Sequence, residues 1–199
     1  ILILNLKIYF LKKKLFFGNL IEKLRYGENP HQSAAIYSFK DELNLKQLNG
    51  KKLSYNNYND IFAALLISRS LPKKIGTVII KHANPCGVSI NKNKLESYKL
   101  ALACDPVSAF GGIVSCNFKI KKNLALELKK IYLEVVICNG IENSALKILK
   151  RKKNLRIIDS SKLKDINLNN ISSHFGSLLI QTADTFSFSK SNFKIVSKI

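Results

Sequence analysis

The sequence has no methionine, not even at position 1, so we expect that it lacks its natural start or that this start was not recorded. Its cysteines stand at positions 86, 104, 116 and 138, and no two of them form a Cys-x-x-Cys pair. This spacing indicates neither a zinc motif nor a disulfide framework, and it suits a reducing cytosol. We therefore expect a cytoplasmic protein without a bound metal.

Arginine and acidic side chains are scarce. The sequence has 33 lysines and arginines against 13 carboxylates, which gives a formal net charge of +20. Only four of the basic residues are arginines, the residue best suited to forked contacts with phosphates and bases. The lysines are scattered along the whole chain among many isoleucines and asparagines. This pattern argues against specific nucleic-acid binding, a hypothesis that would need a steep dependence of DNA binding on salt.

Long apolar runs are also missing. Residues 1–21 are rich in Leu, Ile and Phe, but Lys12–Lys14 interrupt them, and no run approaches the length of a membrane span. A secretory signal would carry its charges before the apolar run rather than after and within it. We interpret residues 1–21 as a strand or extended connector that packs on the domain, with a membrane-surface segment as the minor alternative.

The most informative stretch that is present is TVIIKHANPCG, residues 77–87. Thr77–Ile80 is β-branched and almost wholly apolar, which predicts a strand buried on both faces. The strand leads to Lys81 and His82, and then to Asn84–Gly87, where proline and glycine predict a rigid turn. Open α/β sheets build sites at the carboxyl ends of strands in this way. For the pair taken alone, a solvated lysine beside a structural histidine is the alternative.

Two other loops are rich in side chains useful for chemistry. Leu24–Gln32, LRYGENPHQ, presents an arginine, Arg25, that could clamp a phosphate or an oxyanion, although an ordinary polar loop is the alternative. Residues 105–112, DPVSAFGG, end in two glycines that let a ligand approach the backbone closely. This second loop matches neither the Walker motif nor the dinucleotide-binding fingerprint.

Strands and helices alternate from Thr77 onward, which favours an α/β protein with a layered sheet, parallel pairing and flanking helices. Before that stretch, Asp60 is predicted to cap a helix from residue 61 to about residue 70, which places Asn56 and Asn57 on the entering loop. Exposed amides there could serve a ligand, although solvated turn residues are commoner. Further helices are predicted at 95–104, 121–133 and 142–149, strands at 34–37, 113–116, 135–138, 155–158 and 176–181, and a loop at 159–173.

Taken together, LRYGENPHQ, KHANPCG and DPVSAFGG resemble the motifs of one family, the bifunctional AICAR formyltransferase/IMP cyclohydrolases of purine biosynthesis. LSYNN (53–57), EVVI (134–137), the segment 145–158 and GSLLIQ (176–181) follow in the family's order. Three long motifs in the right order are far more specific than any short pattern. The resemblance covers residues 20–181, although the family's APG-like turn is here Cys138–Gly140 and its glycine pair is Gly176-Ser177.

The resemblance implies transfer of a formyl group from 10-formyltetrahydrofolate, the cosubstrate, to the 5-amino group of the nucleotide AICAR. It also implies a cytidine-deaminase-like fold without the deaminases' zinc. Residues 1–20 would be a connector from a missing N-terminal domain. Residues 21–181 would form the first of two formyltransferase subdomains, and residues 182–199 a truncated tail. The family's cyclohydrolase domain and second subdomain match no part of this sequence. We therefore expect one lobe of a two-lobed site, completed by the missing lobe or, as in the family, by a homodimer partner.

The resemblance assigns roles to individual residues. The residues that match the family's catalytic pair are Lys81 and His82. The positions that match its nucleotide-binding residues are Arg25, Tyr26, Gly111 and Glu134. Further candidate site residues are Asn56, Asn57 and Asn84. No metal ligand is expected among them.

The chemistry gives a reason for the two catalytic residue types. The AICAR amine is a weak nucleophile because of its neighbouring carboxamide, so a general base would accelerate its attack by roughly 10²–10⁴-fold. His82 suits that role near neutral pH, while Lys81 would stabilise the negative charge that develops on the formyl oxygen. The alternative is a non-catalytic lobe that holds a nucleotide or a partner polypeptide without turnover.

Overall fold

The structure, a computed structural model, describes residues 17–39, 42–164 and 170–184. Contacts divide the chain into two units, Ile1–Leu163 and Lys164–Ile199. Most of the predicted connector at 1–20 and most of the predicted tail at 182–199 lie outside the described residues. Among the helices that are described, none has the length and apolarity needed to cross a membrane.

The described elements follow one another in a mixed α and β order. They are β1 (Asn19–Leu24), β2 (Ala34–Ser38), β3 (Lys46–Asn49), α1 (Tyr55–Ser70), β4 (Gly76–Lys81), β5 (Asn84–Ile90), α2 (Lys94–Cys104), β6 (Ile113–Cys116), α3 (Lys122–Leu128), β7 (Val135–Cys138), α4 (Asn143–Leu149), β8 (Arg156–Asp159), β9 (Asn170–His174) and β10 (Ser177–Gln181). The predicted helices at 95–104 and 142–149 are confirmed to within one residue. The helix predicted at 121–133 is shorter, because α3 ends at Leu128.

The centre of the first unit is a six-stranded sheet with the order β3-β8-β7-β6-β4-β5. β6, β7 and β8 are parallel, as the alternation of strands and helices predicted. β4 is antiparallel to both of its neighbours, and β3 is antiparallel to β8. An α/β protein with a layered sheet and flanking helices is therefore confirmed, whereas parallel pairing holds only for the three strands that helices connect.

Helices pack on both faces of this sheet, and alternate residues of each strand feed the two cores. On one face, Ile61 of α1 packs in a cluster with Val78 and Ile80. On the other face, Ile79 belongs to a cluster with residues of α2, α3 and α4. Val78, Ile79 and Ile80 are all fully buried, so the strand predicted to be buried on both faces is confirmed. Each such side chain stabilises the fold by about 1.5–3 kcal/mol.

The turn predicted at Asn84–Gly87 is wrong. The chain reverses instead at His82 and Ala83, whose φ angles are 51° and 59°, and Asn84 begins β5. Pro85 is tolerated in this strand because β5 lies at the edge of the sheet, beside a shift in register. Proline therefore marks an edge strand here rather than the turn itself.

The helix cap predicted at Asp60 is also wrong. α1 begins earlier, with Ser54 as its N-cap and Asn57 as its partner in a capping box. The Ser54 hydroxyl accepts from the Asn57 N–H at 3.2 Å, and the Asn57 amide oxygen accepts from the Ser54 N–H at 3.2 Å. Asn56 and Asn57 thus lie in the first helical turn rather than on a loop. Asparagine takes the place that Glu or Gln usually holds in this motif.

Gly87 is required by packing between β5 and α2. A Cβ atom built on Gly87 would lie only 2.0 Å from the carbonyl oxygen of Ala101. The missing side chain therefore lets the helix backbone approach the strand directly.

Two hairpins lie outside the central sheet. In the first unit, β1 and β2 pair antiparallel. In the second unit, β9 and β10 pair antiparallel, which confirms the strand predicted at 176–181. The loop predicted at 159–173 is wrong at both ends, because Asp159 belongs to β8 and residues 170–173 belong to β9. Residues 165–169 of that loop lie outside the described residues.

The close approach at Gly87 predicts that Gly87→Ala lowers the free energy of unfolding by roughly 3 kcal/mol, the upper end of the overpacking range. Gly140→Ala is the matched control, because its nearest neighbour to a new Cβ is Lys119 Cγ at 3.6 Å. The control would lose only about 1–2 kcal/mol from its left-handed backbone, where φ is 88°. Urea denaturation of the three chains measures the difference, and equal losses would contradict the packing argument.

Candidate active site

A cavity of about 780 Å³ brings most of the predicted site residues together. The predicted residues that line it are Arg25, Tyr26, Asn56, Asn57, Lys81, His82, Gly111 and Glu134. Asn84 is not among the lining residues, but its amide donates to the His82 carbonyl oxygen at 2.9 Å. The structure thus places these residues in one neighbourhood, and their individual roles stay predictions.

The cavity lies at the carboxyl end of β4 and at the amino ends of the parallel strands. Gly111 and Glu134 stand just before β6 and β7, and Arg156 is the first residue of β8. The expectation of a site at carboxyl ends therefore holds for β4 only. The reason is that β4 runs antiparallel to β6, so its carboxyl end meets the amino end of its neighbour.

Lys81 is held against the loop that precedes β6. Its Nζ donates to the Phe110 carbonyl oxygen at 2.8 Å. Gly111 follows with a φ of 70°, and a Cβ there would lie 3.0 Å from Nζ. Because an ammonium has three donors, this contact fixes its position while leaving capacity for a ligand.

His82 occupies the first position of the left-handed turn, and side chains from two elements hold that turn. The Asp60 carboxylate, on α1, accepts from the Ala83 N–H at 2.7 Å. The Asn84 amide donates to the His82 carbonyl oxygen. The backbone that carries the imidazole is therefore fixed by bonds that lie outside the hairpin's own ladder.

Burial raises the pKa of the Asp60 carboxyl above its usual value, and the nearby Glu134 acts in the same direction. The hydrogen bond from Ala83 and the positive potentials of His82 and Lys81 partly oppose this shift. Asp60 thus shares an electrostatic environment with three of the predicted site residues.

Two neighbours orient the Glu134 carboxylate through the same oxygen. Asn57 Nδ2 donates to Glu134 Oε2 at 3.1 Å, and Arg156 Nη1 lies 3.8 Å from that oxygen. The Arg156 Nε also donates to the Lys52 carbonyl oxygen at 3.4 Å. Both of these contacts to Glu134 thus fall on Oε2.

Arg25 and Tyr26 form a stacked pair in the lining of the cavity. The guanidinium carbon of Arg25 lies 4.6 Å from the centre of the Tyr26 ring. Arg25 Nη2 also donates to the Tyr26 hydroxyl at 2.8 Å. The loop behind them is closed by a hydrogen bond of 2.8 Å from the Gly27 N–H to the Gln32 carbonyl oxygen. A planar guanidinium held in this way presents its remaining donors in a fixed fork.

The cavity lining is polar and carries more positive than negative charge. Among the described residues that line it, six are lysine or arginine and three carry carboxylates. The basic residues are Lys23, Arg25, Lys51, Lys52, Lys81 and Arg156, and the acidic residues are Glu22, Asp60 and Glu134. This balance suits an anionic ligand such as a phosphate ester.

Sequence reasoning misses several of the residues that line the cavity, and two of them, Asp60 and Arg156, make contacts that bear on predicted site residues. The sequence pattern predicts a helix cap at Asp60, yet its carboxylate binds the turn that carries His82. The pattern predicts only a short strand around Arg156, yet this side chain reaches Glu134 across neighbouring strands. A charged residue at the start of an otherwise buried strand is the one signal that could have indicated Arg156.

Within the described residues, no group of three or more His, Cys, Asp or Glu side chains is placed to hold a metal ion. Of the four cysteines, Cys116 and Cys138 are buried in the core. Burial raises the pKa of the Cys116 thiol to about 12, which keeps it protonated.

The fold and the cavity define an α/β protein with a polar, net-positive site that contains a lysine and a histidine. A comparison with protein families matches residues 8–199 to the AICARFT/IMPCHase bienzyme. Because the match spans nearly the whole chain, this protein belongs to the AICARFT/IMPCHase family. The resemblance carried by the sequence motifs is thereby confirmed.

Curated relatives from three bacteria agree with this assignment, and each is named bifunctional purine biosynthesis protein PurH. The Rhodospirillum rubrum protein is 43% identical over 190 residues, which cover 92% of this chain and 36% of that protein. The Bradyrhizobium diazoefficiens protein is 40% identical over 193 residues, with 93% and 36% covered. The Leptospira biflexa protein is 43% identical over 202 residues, with 98% and 38% covered. The chain spans a little over a third of the length of these relatives.

The environment of Asp60 predicts a pH dependence of stability. Because its folded-state pKa is raised, the folded chain holds the proton more tightly than the unfolded chain. The contribution of Asp60 to stability is therefore fully present below 3.8, its usual pKa, and declines as pH rises through the raised value. Relative to Asp60→Asn, which has no ionisable carboxyl, the wild-type chain should become less stable as the pH rises above 3.8 and through the raised pKa of Asp60.

Urea denaturation of both chains across this range isolates the Asp60 contribution, since other carboxyls are common to both. A difference that instead grew in favour of the wild-type chain with rising pH would contradict the burial argument.

Proposed function

We propose that this chain supplies one lobe of an AICAR formyltransferase, which transfers a formyl group from 10-formyltetrahydrofolate to the 5-amino group of AICAR. The products are the formylated nucleotide FAICAR and tetrahydrofolate. One observation carries the proposal: Arg25 lines the same cavity as Lys81 and His82, which follow it by more than fifty residues in the sequence. The name of the relatives, a bifunctional purine biosynthesis protein, supports the pathway. Cyclohydrolase activity, the family's other reaction, is not assigned to these residues.

His82 and Lys81 divide the chemistry between them. As the AICAR nitrogen attacks the formyl carbon, the His82 imidazole takes a proton from that nitrogen. The Lys81 ammonium, fixed by the Phe110 carbonyl, stabilises the negative charge on the formyl oxygen. The bond between the AICAR nitrogen and the formyl carbon remains, and the bond from the formyl carbon to folate N10 breaks. The His82 imidazolium then gives its proton to N10.

Arg25 holds the nucleotide's phosphate. Its guanidinium is stacked on Tyr26 and presents a fork that matches phosphate oxygens. The excess of basic groups around the cavity adds attraction for a dianion without specifying its orientation. The stacked pair supplies that orientation.

Gly111 and Glu134 hold the rest of the nucleotide. Gly111 has no side chain, so a ligand can approach the backbone beside the Lys81 ammonium. Glu134, oriented by Asn57, offers Oε1 to a hydroxyl or amide donor of the nucleotide. Asn56 is a further lining residue, while Asn84 acts through the turn that it binds.

The remaining parts of the site are expected outside this lobe. We infer that residues 21–181 form the first, cytidine-deaminase-like subdomain of a formyltransferase, with residues 1–20 as a connector and residues 182–199 as a truncated tail. Most contacts to the folate would come from the second lobe, and a homodimer partner would complete the site. We place this reaction in the cytoplasm, with no resident metal.

Lys81→Ala and His82→Ala test the assigned roles. Each should lower kcat for formyl transfer by roughly 10²–10³-fold, because each group acts in the transition state. The KM for AICAR should change little. Lys99→Ala is the matched lysine control, since Lys99 pairs with Glu96 on the surface of α2. Initial rates are measured after a second chain is added. This chain is the part of the Rhodospirillum rubrum relative that lies outside the matched third.

The same assay separates the lobe hypothesis from its alternatives. Full transfer by both alanine variants would favour a non-catalytic lobe that binds a nucleotide or a partner. Robust transfer by the 199-residue chain alone would contradict the proposal that a second lobe is needed, because a site missing members loses most of its rate.

Arg25→Ala tests the phosphate contact. The variant should bind AICAR roughly 10–100-fold more weakly, the usual range for losing a hydrogen-bonded charge. Binding of the corresponding nucleoside, which lacks the phosphate, should be the same in the variant and the wild-type chain. Calorimetric titration of both ligands measures this, and an equal loss for the nucleoside would mean that Arg25 does not bind the phosphate.

A further inference from the structure

We propose that Asp60 is a positioning residue for formyl transfer: from α1 it holds the peptide that joins His82 to Ala83, and so directs His82 into the cavity. This inference rests on the proposed function, because it assigns Asp60 a role through His82. The supporting observations are the hydrogen bond from Ala83, the left-handed turn and the anchoring of α1.

The turn needs an external support. His82 and Ala83 are consecutive residues with φ angles of 51° and 59°, and neither is a glycine. The left-handed region costs roughly 1–2 kcal/mol for each such residue. Two-residue hairpin turns of this kind favour asparagine, aspartate and glycine, so His-Ala is a poor sequence for it. Strain of this kind persists only where the surroundings hold it.

The two side chains that support the turn, Asp60 and Asn84, form hydrogen bonds to a single peptide unit. The N–H of Ala83 and the carbonyl of His82 belong to the same peptide bond, and Asp60 and Asn84 bind its two ends. A half-rotation of that peptide would break both hydrogen bonds and change ψ of His82. The two hydrogen bonds therefore hold in one conformation the turn on which His82 stands.

Asp60 links this peptide to the core. Asn84 is exposed and only two residues away from its acceptor. Asp60 instead belongs to a helix whose next residue, Ile61, is fully buried in a cluster with Ile80 of β4. Asp60 accepts this hydrogen bond at a position where burial disfavours the ionised form of its carboxyl.

The β9–β10 hairpin provides an internal comparison for the turn between β4 and β5. Its turn residues, Phe175 and Gly176, have φ angles of 50° and 76°. The same turn geometry there uses a glycine at the second position, where β4–β5 has Ala83. Within the described residues, the Gly176 N–H makes no side-chain hydrogen bond like that of Ala83. Where the sequence lacks the favourable glycine, Asp60 therefore supplies the support.

Amide hydrogen exchange measures this support directly, without any assay of activity. In the wild-type chain, the Ala83 amide should exchange at least tenfold more slowly than the Gly176 amide, after correction for intrinsic rates. Asp60→Ala should remove the protection of Ala83. Asp60→Asn keeps an oxygen acceptor at the same place and should retain most of it. Equal exchange of Ala83 and Gly176 in the wild-type chain would overturn the proposal, even if Asp60→Ala does not fold.

The kinetic test uses the supplemented formyl-transfer assay. Asp60→Ala should lower kcat roughly 10–100-fold, within the range expected when a backbone donor loses its partner, with little change in the KM for AICAR. Asp60→Asn should restore most of the rate. The matched control is Asp159→Ala, because the Asp159 carboxylate also accepts from backbone N–H groups, those of Gly140 and Ser161, at 3.1 and 2.9 Å. Asp159 does not line the cavity, so its loss should leave kcat unchanged.

The outcomes separate the two proposals. If the wild-type chain transfers no formyl group, the proposed function fails, while Ala83 exchange still decides whether Asp60 holds the turn. If Asp60→Asn loses as much rate as Asp60→Ala, the charge rather than the hydrogen bond matters, and positioning through Ala83 is wrong. An equal loss of kcat in Asp159→Ala would also overturn the proposal, since it would indicate a general effect on stability.

Discussion

The site depends on the reversal of the chain directly after a fully buried strand. Val78, Ile79 and Ile80 are locked between the helices on both faces, so the position of Lys81 follows from the core. The two-residue turn then returns the chain at once as an edge strand. The strand on one side and the hydrogen-bonded peptide on the other restrict the backbone of His82, as the proposed role of a positioned base would require.

The other side chains of the cavity are delivered by elements that the sheet brings to the same place. The antiparallel direction of β4 puts its carboxyl end beside the amino ends of β6, β7 and β8. Gly111, Glu134 and Arg156 reach the cavity for that reason. α1 connects the two sides, since Asn57 binds Glu134 while Asp60 binds the turn. A single helix thus contacts two groups that reach the cavity from different strands.

Much of this arrangement could be predicted from the sequence. β-branched runs identified the buried strands, and the three loops rich in functional side chains proved to include residues that share a cavity. The prediction of local structure failed where the same residue types are typical of two different structures. Pro85 and Gly87 are typical of a turn, but here proline marks an edge strand, and glycine makes room for Ala101. Asp60 resembled a cap because the true capping box uses an asparagine, Asn57.

The contacts of Asp60 and Arg156 could not be predicted, because they join residues that are distant in sequence and depend on the order of the strands. The central claim is that one ligand touches both Arg25 and His82. The sequence has only three histidines, so NMR of labelled imidazoles can follow His82 during a titration with AICAR. The account predicts that AICAR shifts the His82 signals and that Arg25→Ala weakens this response. Saturating AICAR that binds the chain but leaves the His82 signals unmoved would contradict it.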